Sequence, residues 1–240
     1  MALKLSPSIS EETVEHFAER DRQTGQIADP IVVALAGAVK AAREEGTALV
    51  NFEKAAYADR TLTPEASVLH VAQQALKTGE RVAKQVDSAL QRAKAEVASV
   101  ERRIAAPPAP KDLAGLHVAG EIRAALARMP EKERDDAIAN AFVTQNLSVI
   151  AAVLNGPAFL SGIGEAKLGL IRARYQREQF PADVKRIETL GKAISAAERA
   201  GSLFFAFIKE AADSPSAQLA AAGVRQREEA AAALQAGSGA

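Results

Sequence analysis

A chain of 240 residues, 48% of them hydrophobic, is long enough for one or two domains with a real core and excludes disorder throughout. Thirty basic residues balance thirty acidic ones, which argues against naked nucleic acid or an anionic membrane as the main partner but leaves room for a local basic patch. Without cysteine there is no disulfide, thiolate nucleophile or zinc–thiolate site, and with aromatics at 4% the interior is expected to consist of closely packed helices separated by small side chains.

The first residues lack the continuous apolar run of a signal peptide, and no stretch reaches the ~20 apolar residues that cross a bilayer, so neither export by that route nor a membrane anchor is expected. Ser8 and Glu11 stand at capping-box spacing and predict a short helix near residues 9–22, ending around Thr24 and Gly25. Pro30 starts a second helix over about 30–58, apolar almost all round in its first half, with Gly46 as a weak point or break. Thr63 and Pro64 cap a third, and no proline recurs until Pro107, so a single helix some 60 Å long is expected, at ~1.5 Å per residue. Its apolar positions keep heptad register. Leu69, Leu76, Ala83, Leu90, Val97 and Ile104 recur every seven residues, and Ala72, Gly79, Val86, Ala93 and Val100 complete the seam. Leu69, Leu76, Val86, Leu90, Val97, Val100 and Ile104 are therefore the expected interface residues of this helix.

The proline-rich stretch 105–111 stops that helix and marks the expected boundary between a first domain, 1–104, and a second, 112–213. Asp112 caps a helix to about residue 128, and Pro130 opens another that runs through Ile138, Phe142, Leu147, Ile150 and Leu154 to Asn155, Gly156 and Pro157. Residues 158–164 read as a packed connector, and a helix over 165–179 follows. A second long helix is expected over 181–213, where Ile187, Leu190, Ile194, Ala197, Gly201, Phe204, Ile208 and Ala211 step alternately by three and four. Phe204, Phe205 and Phe207 spread round more than half of it, so either this helix is central in its own domain or Phe205 and Phe207 meet a second subunit. Residues 214–240 are alanine-rich with few large apolar side chains, compatible with a helix that gains little from burial, and are expected to form a loosely held tail. The fold class is all-α: long heptad-patterned helices, as a coiled coil or elongated bundle, with a smaller helical domain.

Chemistry leaves no comparable pattern. His16, His70 and His117 have no metal-ligand spacing. Gly162, Gly164 and Gly169 match neither the dinucleotide fingerprint nor a P-loop. No serine sits in a nucleophile elbow, and the carboxylate pairs Glu11/Glu12 and Asp135/Asp136 fall in first helical turns, where they complement the macrodipole. The sequence therefore predicts a protein that is not an enzyme, with no metal or cofactor. Lys167, Arg172, Arg174 and Arg177 mark a basic helix that can contact phosphates, although Glu178 lies one turn from Arg174 and can neutralise it.

Within residues 116–162, Gly120, Glu121, Ile122 and Arg123, the run from Pro130 to Arg134, Leu147 with Ala151, Ala152, Val153 and Leu154, and Phe159 through Gly162 resemble a stretch of uncharacterised helical proteins encoded among phage and prophage structural genes. The resemblance covers about a fifth of the chain and is one of texture, with no active-site residues to carry over. It implies a role in a virion or its assembly, made in the bacterial host cytoplasm and carried into the particle, with other copies or other virion proteins as partners. The expected mechanism is helix-mediated self-association or docking; the alternative is a nucleic-acid-associated accessory or adaptor protein using residues 167–177.

Overall fold

The computed structural model describes residues 3–21 and 23–237. It is all-α: nine α-helices and one 3-10 turn, with no strand among the described residues. The helices are α1 (Glu12–Glu15), α2 (Pro30–Ala58), α3 (Pro64–Arg103), α4 (Leu113–Arg128), α5 (Glu131–Val143), α6 (Leu147–Leu154), α7 (Glu165–Gln179), α8 (Pro181–Ala212) and α9 (Pro215–Gly237). Most of the starts are chemically explicit. Asp29 accepts from Ile31 N before Pro30, Thr63 Oγ1 from Ala66 N, and Asp112 from Gly115 N, so side-chain oxygens satisfy amides that the first helical turn leaves without partners.

Three departures from the expected helices stand out. The first helix is a single turn, Glu12–Glu15, and farther along the carboxylate of Asp21 accepts from Gln23 N and from both the amide and hydroxyl of Thr24, closing a turn before Gly25 at φ +68°. Those bonds, Thr24 N foremost, hold the Asp21 carboxyl below its ordinary pKa. Gly46 does not break α2; it makes room for Leu5, whose Cδ1 lies 2.6 Å from where a Cβ would stand. The helix expected from Pro130 to Leu154 divides into α5 and α6 at residues 144–146, where Gln145 takes φ +52° and the Asn146 side chain caps α6 through Val149 N.

The chain forms two compact units, one of Met1–Ala95 with Thr189–Ala240, the other of Glu96–Glu188. This differs from the expected split at residues 105–111. The proline-rich stretch lies inside the second unit, where Pro107 is buried and its carbonyl accepts from Asn155 Nδ2 at 2.9 Å. The reason is pairing: α3 finds its partners in α2 and in the far-distant α8, so the first unit is built from both ends of the chain.

In the first unit α2 and α3 form an antiparallel hairpin. Ser67 Oγ donates to Ala56 O at 2.9 Å near the turn, and Arg81 pairs with Glu45 farther along. Residues rising along α3 meet residues falling along α8: Gly79 faces Ile208, Val86 faces Gly201, and Lys94 pairs with Glu198 at 2.6 Å. A Cβ on Gly79 would stand 2.9 Å from Ile208 Cγ2, so the absence of a side chain sets how closely the two helices pack. The N-terminal segment lies along α2, with Leu3 N donating to the buried Glu53 carboxylate at 2.8 Å and Arg43 pairing with Glu11 at 2.6 Å.

The second unit has its own core of Leu126, Ile138, Phe142, Ile150, Val153, Leu154, Ile163, Leu168, Ile171 and Tyr175. Phe180 packs edge-on against Tyr175 at 5.8 Å. In this unit Arg186 pairs with Glu96 at 2.6 Å and Arg103 with Asp183 at 2.8 Å, so α3 and α8 also run antiparallel here. The connector turns back at Gly162 (φ +68°), where a Cβ would stand 2.6 Å from Arg134 Nη1 and 3.1 Å from Ala127 Cα. Gly162→Ala is therefore expected to lower stability by about 1–2 kcal/mol, read as the midpoint of urea unfolding, while Gly164→Ala, which meets nothing within 4 Å, leaves it within ~0.5 kcal/mol.

Candidate interaction surfaces

The expected seam residues do not share one environment. Val86, Val100, Ile104, Phe204, Phe207 and Ile208 are buried, Leu69, Leu90 and Val97 are half-buried, and Leu76 and Phe205 are exposed. On α3 the buried rows are Ala75, Val82 and Ala89 together with Ala72, Gly79, Val86, Ala93 and Val100. The second row was expected. The first lies one residue before the expected row of Leu76, Ala83 and Leu90, a turn of ~100° about the helix axis. Sequence reasoning placed the seam at the largest side chains. In the fold α3 packs against α2 and α8 at once, and the small residues occupy the arc between them, leaving Leu76 at 55% exposure.

On α8, Phe204 is fully buried, with ring centroids of Phe205 and Phe207 at 6.0 and 6.2 Å. Phe207 shares that interior, and Phe205 stands at its edge. Six of the eleven residues expected at the helix interfaces are thus buried within their own chain.

The basic helix α7 is half neutralised. Lys167 pairs with Asp135 and, at 3.8 Å, with Glu131. Arg174 pairs with Glu178 at 2.7 Å and lies over the Phe142 ring, 4.3 Å from its centroid. Arg177 is exposed, and its Nε donates to Ala173 O. Arg172 pairs with no carboxylate among the described residues; its Nε is buried without an acceptor, beside a groove of about 520 Å³ lined by Ala98, Ile104, Val184 and Ile187. With two of four charges matched, duplex or single-stranded DNA is expected to bind weakly, with little dependence on salt; a steep fall in affinity between low and moderate salt would restore the phosphate-contacting reading.

Near the connector, the Ser161 hydroxyl is fully buried without a hydrogen-bond partner, as are Arg134 Nε and Asp135 Oδ1. Among the described residues no group of three His, Cys, Asp or Glu side chains stands close enough to hold a metal. The groups displaced from their ordinary titration are held by local structure. Burial pushes up the hydroxyls of Tyr57 and Tyr175, with Glu53 adding to the first, and hydrogen bonds from Thr61 lower the Asp59 carboxyl.

Two kinds of surface escaped the sequence reading. On the second unit Leu113, Val143, Phe159 and Leu170 are largely exposed, side chains that fall off the periodic rows and so carry no signal of their own. On the first unit, the alanine-rich tail is the helix α9, helical through Gly237, a form its composition allowed, and its open face carries no signal in the sequence. Only its beginning is anchored: Ala217 and Ala220 are buried, and every residue from 225 to 234 is exposed. Beside its first half runs a groove of about 950 Å³, floored by Val68, Leu69, Ala220 and Val224. No family model, characterised protein or solved structure matches the chain. No helix among the described residues is long and apolar enough to cross a membrane.

Proposed function

We propose that this chain is a non-enzymatic structural or assembly protein of a bacteriophage particle, working by helix-mediated self-association or by docking on other particle proteins. The observation that carries the reading is α9, an arm whose residues 225–234 are exposed on every side. An isolated helix that short is marginal in water, and alanine-rich faces gain stability chiefly by burial against another helix. The long helices α2, α3 and α8, closed on one another, supply a stiff base for such an arm. The resemblance of residues 116–162 to helical proteins of phage structural gene modules supplies the setting, in which the chain is made in the host cytoplasm and enters the virion.

The test is quantitative mass spectrometry of density-gradient-purified particles from a strain carrying the gene. The expected result is a constant copy number relative to the major shell protein. Absence from both particles and assembly precursors would overturn the reading.

A further inference from the structure

The geometry points to a binding site for a small organic ammonium ion in the first unit, in a cavity where the Glu53 carboxylate is the anchoring group. The site is independent of the assembly reading above. The cavity holds about 480 Å³, within the range of small-molecule sites, and lies between α2, α3 and the junction of α8 with α9. Leu3, Val68, Val71, Ala211 and Pro215 supply apolar wall. Three carboxylates line it, those of Glu53, Glu210 and Asp213, against the ammonium of Lys209. None of the four takes part in an ion pair among the described residues.

Glu53 is the decisive group. It is 4% exposed, so its charge is held almost out of water. One carboxylate oxygen accepts from Leu3 N at 2.8 Å. The other has no partner among the described residues and is not sealed in; the cavity that Glu53 lines is its opening. A single backbone amide answers a buried charge only in part, whereas a cation carrying its own N–H donors answers both the charge and the free oxygen. Tyr57, one turn along α2 and lining the same cavity, registers that charge: Glu53 adds to the burial that raises its hydroxyl pKa.

The sign of the cavity is set by these side chains. At its rim α8 ends and α9 begins, so the two helix dipoles oppose each other, and Ser214 Oγ already accepts from Ala217 N in the first turn of α9. Three carboxylates against one ammonium leave the lining net negative, which disfavours an anion. A metal ion fits poorly as well: among the described residues no three carboxylate or imidazole side chains converge, and hard cations need oxygen ligands on all sides. An ammonium on an alkyl body matches both the carboxylates and the apolar wall. Lys209, the cation of the lining itself, is exposed and leaves Glu53 without an ion pair.

The chain has two tyrosines, Tyr57 at this cavity and Tyr175 in the core of the other unit. Labelling the full chain with 3-fluorotyrosine therefore gives fluorine NMR one reporter at the site and one control, assigned through Tyr57→Phe. Hexylammonium and hexanol, which share an apolar body and differ in charge, are titrated in an amine-free buffer. Hexylammonium is expected to shift the Tyr57 signal saturably, with a Kd on the order of 1 mM, the scale so small a ligand allows, and to leave Tyr175 in place. Hexanol should bind about tenfold more weakly or less, and Glu53→Gln, which keeps an acceptor for Leu3 N, should weaken hexylammonium by about the same factor. Asp213→Asn, at an exposed position, should weaken it about twofold and serves if Glu53→Gln does not fold. No saturable shift at Tyr57, equal shifts at both tyrosines, or equal binding of hexanol overturns the site, and none of these comparisons needs a variant. Unchanged affinity in folded Glu53→Gln overturns Glu53 as the anchor and the site with it.

Discussion

Val82→Asp is expected to unfold the first unit, and Leu76→Asp to leave it folded. Val82 is fully buried on the α3 face enclosed by α2 and α8, so an aspartate there is an uncompensated charge away from water, costing several kcal/mol, on the order of 3–5. That is a large part of the ~5–15 kcal/mol that holds a domain together. Leu76 is the larger side chain and sits on the heptad row that the sequence favours, yet it is more than half exposed, and its replacement should cost no more than about 1 kcal/mol. Far-UV circular dichroism during thermal melting distinguishes the two. A folded Val82→Asp beside an unfolded Leu76→Asp would return the seam to the row of large residues.

Phe204→Ala is expected to cost about 3–5 kcal/mol, the sum of lost burial and the cavity left behind. Phe204 is fully buried, flanked by the rings of Phe205 and Phe207, and α8 reaches α3 immediately beyond it through Ile208. Phe205→Ala, one residue along and at the edge of that interior, should cost less than about 1.5 kcal/mol. Urea unfolding of both variants at matched slope measures the difference. Equal losses at the two positions would mean that Phe205 is also enclosed and that the aromatic cluster continues into another surface.

Helix positions were legible wherever the chemistry is local. Pro30, Pro64 and Pro181 begin α2, α3 and α8, and Asp29, Thr63 and Asp112 cap as their residue types suggest. The break at residues 144–146 was not, since it rests on Gln145 in a left-handed conformation that nothing in its side chain announces. The register of α3 was offset on one of its two rows because periodicity reports which residues share a face but not how many partners that face meets. With a helix on either side, alanine and valine occupy the centre and leucine the flank. The division into units was hidden for a related reason: Lys94 and Glu198, or Glu96 and Arg186, are about a hundred residues apart, and no local pattern announces such a pair. The cluster at residues 167–177 reads as a basic patch in one dimension, and the fold brings Asp135, Glu131 and Phe142 to it from α5.

The central claim is that the long helical seams close within one chain, leaving other surfaces for assembly. Because the chain has no cysteine, Lys94→Cys/Glu198→Cys carries two spin labels with no background. Electron–electron distance measurement should find them on adjacent helices, whose axes pack ~8–10 Å apart, and the short distance should survive dilution with excess unlabelled protein. A short distance that disappears on dilution would show that α3 pairs with the α8 of another copy, and would contradict the account.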